Sequence, residues 1–106
     1  MERVGMVFKI KPELKADYKK AHDEIWPELK VLIKESGISN YSIFFKKDGT
    51  LFAYLEAEDY KKAMESSSNT EVADRWQKYM DRFFVKEDKS IIGPETEILE
   101  EVFNID

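Results

Sequence analysis

The chain contains one histidine, His22, and no cysteine. His22 is therefore its only side chain with an ordinary pKa close to neutrality, where a group can both take up and release a proton. Tyr18 precedes it by four residues and Trp26 follows it by four, so on a continuous helix the three share one side. A proton-carrying imidazole between a phenol and an indole has the makings of a small sugar site. Aromatic faces cover the apolar C–H faces of a pyranose, while hydroxyls and the imidazole serve its polar edge. The same three residues could equally be a satisfied core histidine beside two packed aromatics, and spacing this simple leaves both readings open.

Other constellations carry less. Without cysteine there is neither a disulfide nor thiol chemistry,. A transition-metal site would need carboxylates around the one imidazole, and Asp23-Glu24 and Glu100-Glu101 lack a ligand spacing and read as solvated pairs,. Ser66-Ser67-Ser68 has no second motif to make a nucleophile of it,. Four widely scattered glycines build no phosphate loop,. Trp76, with Tyr79 and Met80, reads on its own as helix core, and Tyr41 as a packed strand residue.

At 106 residues the chain has the size of a single domain over 1–106, with no linker or internal repeat to divide it,. Its 42% hydrophobic and 37% charged residues are those of a globular protein rather than a disordered one,. The net charge of -5, with basic residues grouped only in pairs such as Lys46-Lys47, argues against nucleic acid as a partner,. The N-terminal segment is too short and polar for a signal peptide, and no run of about 20 apolar residues is present for a membrane span,. A cytoplasmic location, with no membrane partner, is the expectation.

The elements that must position these residues follow from periodicity. Residues 3–10 read as a strand,. Pro12 suits a helix start, and Leu14, Tyr18, Ala21, Ile25, Leu29 and Leu32 mark one helical face running toward Gly37,. Pro27 predicts a short break near Glu24–Trp26. Residues 40–47 and 50–57 read as strands joined by an Asp48-Gly49 turn,. Residues 59–64 are helix-prone, Ser66–Thr70 reads as a loop, and Thr70 can cap a helix reaching Phe83,. A long polar loop over 85–95 leads to a last strand over 97–104.

The resulting order, β-α-β-β-α-β, is that of an α+β, ferredoxin-like split βαβ sandwich, with helices on one face of a four-stranded sheet. In the second strand Tyr41, Ile43 and Phe45 oppose Phe44; in the third Leu51, Ala53 and Leu55 oppose Phe52 and Tyr54,. Apolar residues on both faces require two covers. The helices supply one, and a second subunit packed sheet to sheet, in a dimeric α/β-barrel type assembly, is the simplest other.

Several segments, taken in order, resemble one family. They are His22-Asp23-Glu24-Ile25-Trp26-Pro27-Glu28-Leu29, Gly37 with Asn40-Tyr41-Ser42-Ile43, Leu51-Phe52-Ala53-Tyr54, Arg75-Trp76-Gln77-Lys78-Tyr79-Met80 and Glu101-Val102-Phe103. Over nearly its whole length the chain is similar to the L-rhamnose mutarotases. The resemblance implies a homodimeric isomerase that uses no cofactor and interconverts the α and β anomers of L-rhamnose, or of a closely related aldose, by acid/base ring opening. It implies that His22 is the catalytic proton donor, that Tyr18 and Tyr41 bind the sugar, and that Trp76 is the first of the family's paired tryptophans. The second of that pair falls on Gln77, where a stacking surface has become an amide that can hydrogen-bond. Two other readings stand beside this one: a non-catalytic dimer that binds a small metabolite, and a cofactor-free ferredoxin-like enzyme of another class.

Overall fold

The computed structural model describes residues 1–105. Its first strand, β1 (Glu2–Lys9), buries Val4, Met6 and Phe8 on one face, as the period of two requires,. A 3₁₀ turn at Pro12–Leu14 leads into α1 (Lys15–Asp23). The chain then leaves the helix at Glu24, and Pro27 opens α2 (Pro27–Glu35) from the first helical turn, where its missing N–H costs nothing,. Strands β2 (Ile38–Phe45) and β3 (Thr50–Ala57) follow, and then α3 (Tyr60–Ser68) and α4 (Glu71–Met80). Asp59 caps α3 by accepting from the Lys62 N–H, and Thr70 caps α4 by accepting from the Ala73 N–H,. Among the described residues no helix is long and apolar enough to cross a membrane.

One antiparallel sheet holds the strands in the order β2-β3-β1-β4, with β4 at Glu97–Leu99. This is the expected ferredoxin-like arrangement. The central register sets Val4 opposite Leu55, Met6 opposite Ala53 and Phe8 opposite Leu51, so the buried positions of both strands share the face that the helices cover,. Tyr18 and Ala21 of α1, Ala63 of α3 and Met80 of α4 pack into the same cluster.

Strand β2 begins two residues earlier than its residue pattern suggests. Ile38 and Ile43 are five residues apart, which in a regular strand would put them on opposite faces. Asn40 and Tyr41 together oppose Leu55, and Asn40 adopts φ 49°, a left-handed conformation that Asn tolerates,. This bulge adds one residue, so that Ile38, opposite Ala57, and Ile43, opposite Ala53, both face the helices,. It also keeps Tyr41, Ile43 and Phe45 on one side, as the alternation implied.

Three further boundaries differ from the sequence reading. Ser66–Ser68 is not a loop but the last turn of α3, where the Ser66 and Ser67 hydroxyls donate to the Ala63 carbonyl,. Helix α4 stops at Met80 and tightens into a 3₁₀ turn at Asp81–Phe83, which buries Phe83. Strand β4 spans three residues and not eight. The register would place Glu101 opposite Arg3 and Val102 opposite Glu2, yet the chain leaves the ladder after Leu99. The tail is tied instead by two hydrogen bonds from the Arg3 guanidinium to Glu101, at 3.0 and 2.6 Å.

The β2–β3 turn uses Asp48-Gly49 as the end of a three-residue loop. Gly49 closes it at φ 97°, and a Cβ there would stand 2.3 Å from the Ile10 carbonyl oxygen,. On the face away from the helices, Phe44 and Phe52 are cross-strand partners and stay 63% and 45% exposed. Nothing among the described residues closes off that apolar face.

Candidate active site

Between the helix-covered face of the sheet and α1, α2 and α4 lies a cavity of about 1020 Å³, at the upper end of the ~300–1,000 Å³ usual for small-molecule sites. Tyr18 and His22 of α1, Tyr41 of β2, and Trp76 and Gln77 of α4 all line it. The five residues singled out in the sequence therefore converge, although they are drawn from three elements. Ile43, Phe45 and Leu51 form its sheet side.

The His22 ring is oriented by its own helix. Its Nδ1 lies 3.1 Å from the Tyr18 carbonyl oxygen. A carbonyl only accepts, so Nδ1 must carry the proton. In the neutral ring the remaining nitrogen, Nε2, is then an acceptor, and it is the only ring nitrogen left for the cavity. Burial holds the His22 pKa below its ordinary value; the bond to the Tyr18 carbonyl and the nearby Asp23 carboxylate act the other way and are outweighed,. The neutral ring is the resting form at pH 7.

The tyrosines are acceptor and donor groups rather than acids. Burial first, and then the proximity of Tyr41, raise the Tyr18 hydroxyl far above its ordinary range. Burial raises Tyr41 too, with Tyr60 contributing. Both stay protonated and can donate hydrogen bonds. Tyr41 is closely surrounded by protein, yet 43% of its surface stays open because it lines the cavity.

Aromatic contacts fix the remaining wall. The Tyr18 and His22 rings lie 4.4 Å apart, and Trp76 meets His22 edge-on at 5.6 Å. Trp26 is not on the helical face with Tyr18 and His22, because the chain leaves α1 before reaching it. It stands behind the wall instead, edge-on against Trp76 at 5.2 Å and tilted by 37° against Tyr79 at 5.8 Å. Arg75 lies 5.3 Å over the Trp26 ring and donates to Glu28 at 2.8 Å,. Two distant sequence blocks, around His22–Glu28 and around Arg75–Met80, thus pack on one another.

Some of the wall was not legible beforehand. Ile92, from the long polar loop, lines the cavity, as do Met64, Ser67 and Ser68 of α3. No local pattern marks Ile92; its place depends on contacts that span the loop. Among the described residues no group of three or more His, Asp or Glu side chains converges on a point.

Comparisons with known proteins bear on the chain as a whole. The family described as L-rhamnose mutarotase matches residues 3–105. A protein of Listeria monocytogenes named L-rhamnose mutarotase is 48% identical over 81 residues, covering 76% of this chain and 77% of its own. The crystal structure of an L-rhamnose mutarotase from Formosa agariphila superposes with a TM-score of 0.83 at 34% identity, covering 100% of both chains. A dimeric ferredoxin-like protein from an uncultured marine organism, at 15% identity and a TM-score of 0.57 over 99% of this chain and 100% of its own, shares the fold alone.

The depressed His22 pKa makes stability depend on pH. The unfolded chain binds a proton at His22 from about pH 6.5 downward, whereas the folded chain does so only at lower pH. Stability therefore falls as pH drops below about 6.5, until the folded value is passed. Urea unfolding between pH 7 and pH 5 should show this decline in the wild type and a flatter profile in His22→Asn. Parallel profiles would mean that burial does not disfavour the charged ring.

Proposed function

The chain belongs to the L-rhamnose mutarotase family and interconverts the α and β anomers of L-rhamnose, and on that premise we propose that His22 Nε2 carries the proton the reaction must move. Opening the hemiacetal breaks the bond between C1 and the ring oxygen, and shifts one proton from the anomeric hydroxyl to that oxygen. Both oxygens are bonded to C1, so one imidazole can serve both in turn. Neutral Nε2 takes the hydroxyl proton as base. The resulting imidazolium returns a proton to the ring oxygen as it leaves, in the proton-donor role that the family resemblance implies. The aldehyde rotates about C1–C2, and the reverse sequence closes the ring on the other face.

The observation that carries this reading is the hydrogen bond from His22 Nδ1 to the Tyr18 carbonyl, inside a cavity also lined by Tyr41 and Trp76. It commits the ring to the tautomer that begins as a base. The Tyr18 and Tyr41 hydroxyls hold sugar oxygens, and the Trp76 ring covers an apolar face, a contact that tolerates rotation of the reacting carbon. Gln77 completes the wall with an amide. The requirements are those of an acid/base enzyme working without a cofactor. A chain with no cysteine has no need of an oxidising compartment, and the reading includes a cytoplasmic location.

Replacement of His22 by Asn should lower anomer exchange of L-rhamnose by about 10²–10⁴-fold per folded molecule, the usual worth of a positioned acid/base group. Saturation transfer between the anomeric proton signals measures this directly. In the wild type the rate should rise with pH through the depressed His22 titration and level off near neutrality, because the neutral ring starts the reaction. Full exchange by folded His22→Asn would move the proton transfer to a tyrosine or to water.

The reading also includes a homodimer, supported by the open Phe44–Phe52 face and by the dimeric relative of the same fold. Sedimentation at micromolar concentration should give a species of twice 12.5 kDa. A 12.5 kDa species alone would rule the dimer out.

A further inference from the structure

The loop over residues 85–95 runs from the end of α4 back past Gln77, and it is tied down. Val85 N–H donates to the Lys9 carbonyl at 2.9 Å. The Lys86 ammonium, on a side chain only 7% exposed, pairs with Asp81 and also donates to the Ile91 carbonyl. The same Asp81 oxygen accepts the Gly93 N–H at 2.9 Å. Asp81 sits at the end of α4, one turn beyond Gln77, so this clasp fixes the far end of the loop to the helix that carries Trp76 and Gln77.

The clasp lays Gly93 directly on Gln77. Gly93 has φ +89°, and a Cβ at that position would lie 2.3 Å from Gln77 Oε1. A side chain at 93 would have to displace the Gln77 amide, so the loop backbone passes beside that amide oxygen. Ile92, the neighbour of Gly93, lines the cavity. Where the family resemblance expects a second tryptophan, this chain therefore has a shortened side chain beside a loop, with an aliphatic residue at the wall.

We propose that Ile92 is a specificity-determining residue that favours 6-deoxyhexoses over their 6-hydroxy counterparts, and that the Asp81–Lys86–Gly93 clasp positions it. The inference rests on the sugar reading above. With the C1–ring oxygen edge at His22 and an apolar face on Trp76, the C5 substituent extends along α4 toward Gln77 and the loop. In L-rhamnose that substituent is a methyl group, and in L-mannose it is CH₂OH. The aliphatic Ile92 wall accepts the methyl group and gives the hydroxyl no partner. Apolar pockets reject an added hydroxyl only modestly, by up to about 10²-fold. Because Ile92 keeps 58% of its surface open, its share is set at roughly 3–10-fold.

The test compares kcat/KM for L-rhamnose and L-mannose by anomer-exchange NMR in the wild type, Ile92→Asn, Ile92→Val and Lys86→Met. Ile92→Asn should lower the rhamnose-to-mannose preference by roughly 3–10-fold, with the change mainly in KM, and Ile92→Val should keep the preference. Lys86→Met retains the buried stem but loses the clasp, and should lower the preference in the same direction. If Ile92→Asn proved unfolded, Ile92→Ala would carry the same comparison. An active wild type whose preference is unchanged within twofold in Ile92→Asn would overturn the inference and leave the mutarotase reading standing. A wild type that accelerates neither sugar would overturn both.

Discussion

One hydrogen bond decides what the imidazole can do. Because the Tyr18 carbonyl can only accept, the His22 proton is held on Nδ1, and Nε2 is left as the acceptor of a ring that lines the cavity,. That bond is an i to i-4 contact within α1, so it exists only while the first helix is intact through His22. Burial then removes the competing charged form,. Tautomer, orientation and charge are all set by the backbone and by packing, without a carboxylate partner.

The rest of the fold can be understood as a frame for that ring. Helix α1 stops immediately after His22, and Pro27 restarts the chain as α2. The interruption takes Trp26 off the face of α1 and lets it brace Trp76 from behind, with Arg75 laid over its ring and bonded to Glu28. On the sheet side, the bulge at Asn40 and Tyr41 keeps Ile38 buried while bringing Tyr41 to the cavity. A regular β2 could not have done both, since one residue of slip exchanges the faces of a strand.

Much of this was legible in the residues. The alternation of Leu51, Ala53 and Leu55, the cap at Thr70 and the break at Pro27 are local signals, and they gave the element order and so the topology. The family resemblance, more than spacing, picked out Tyr41, Trp76 and Gln77 among many aromatic and polar residues. What stayed hidden depends on partners far along the chain. Strand β4 stops at Leu99 and the next residues are held through the Arg3–Glu101 pair instead, which nothing in residues 97–104 reveals. The helical turn at Ser66–Ser68 forms because its hydroxyls find the Ala63 carbonyl. Ile92 reaches the cavity because Lys86 and Asp81 pair behind it. Trp26 was misplaced because a helical spacing was carried across a break that Pro27 had itself announced.

The account stands or falls on the state of the His22 ring before any sugar binds. Nitrogen-15 NMR of the two ring nitrogens in the free protein reports that state without relying on a rate or a variant. At neutral pH it should show a protonated Nδ1 and an unprotonated Nε2, with Nε2 gaining its proton only below pH 6.5. A ring protonated on Nε2 alone, or a doubly protonated ring at neutral pH, would contradict the assignment of Nε2 as the base that opens the sugar.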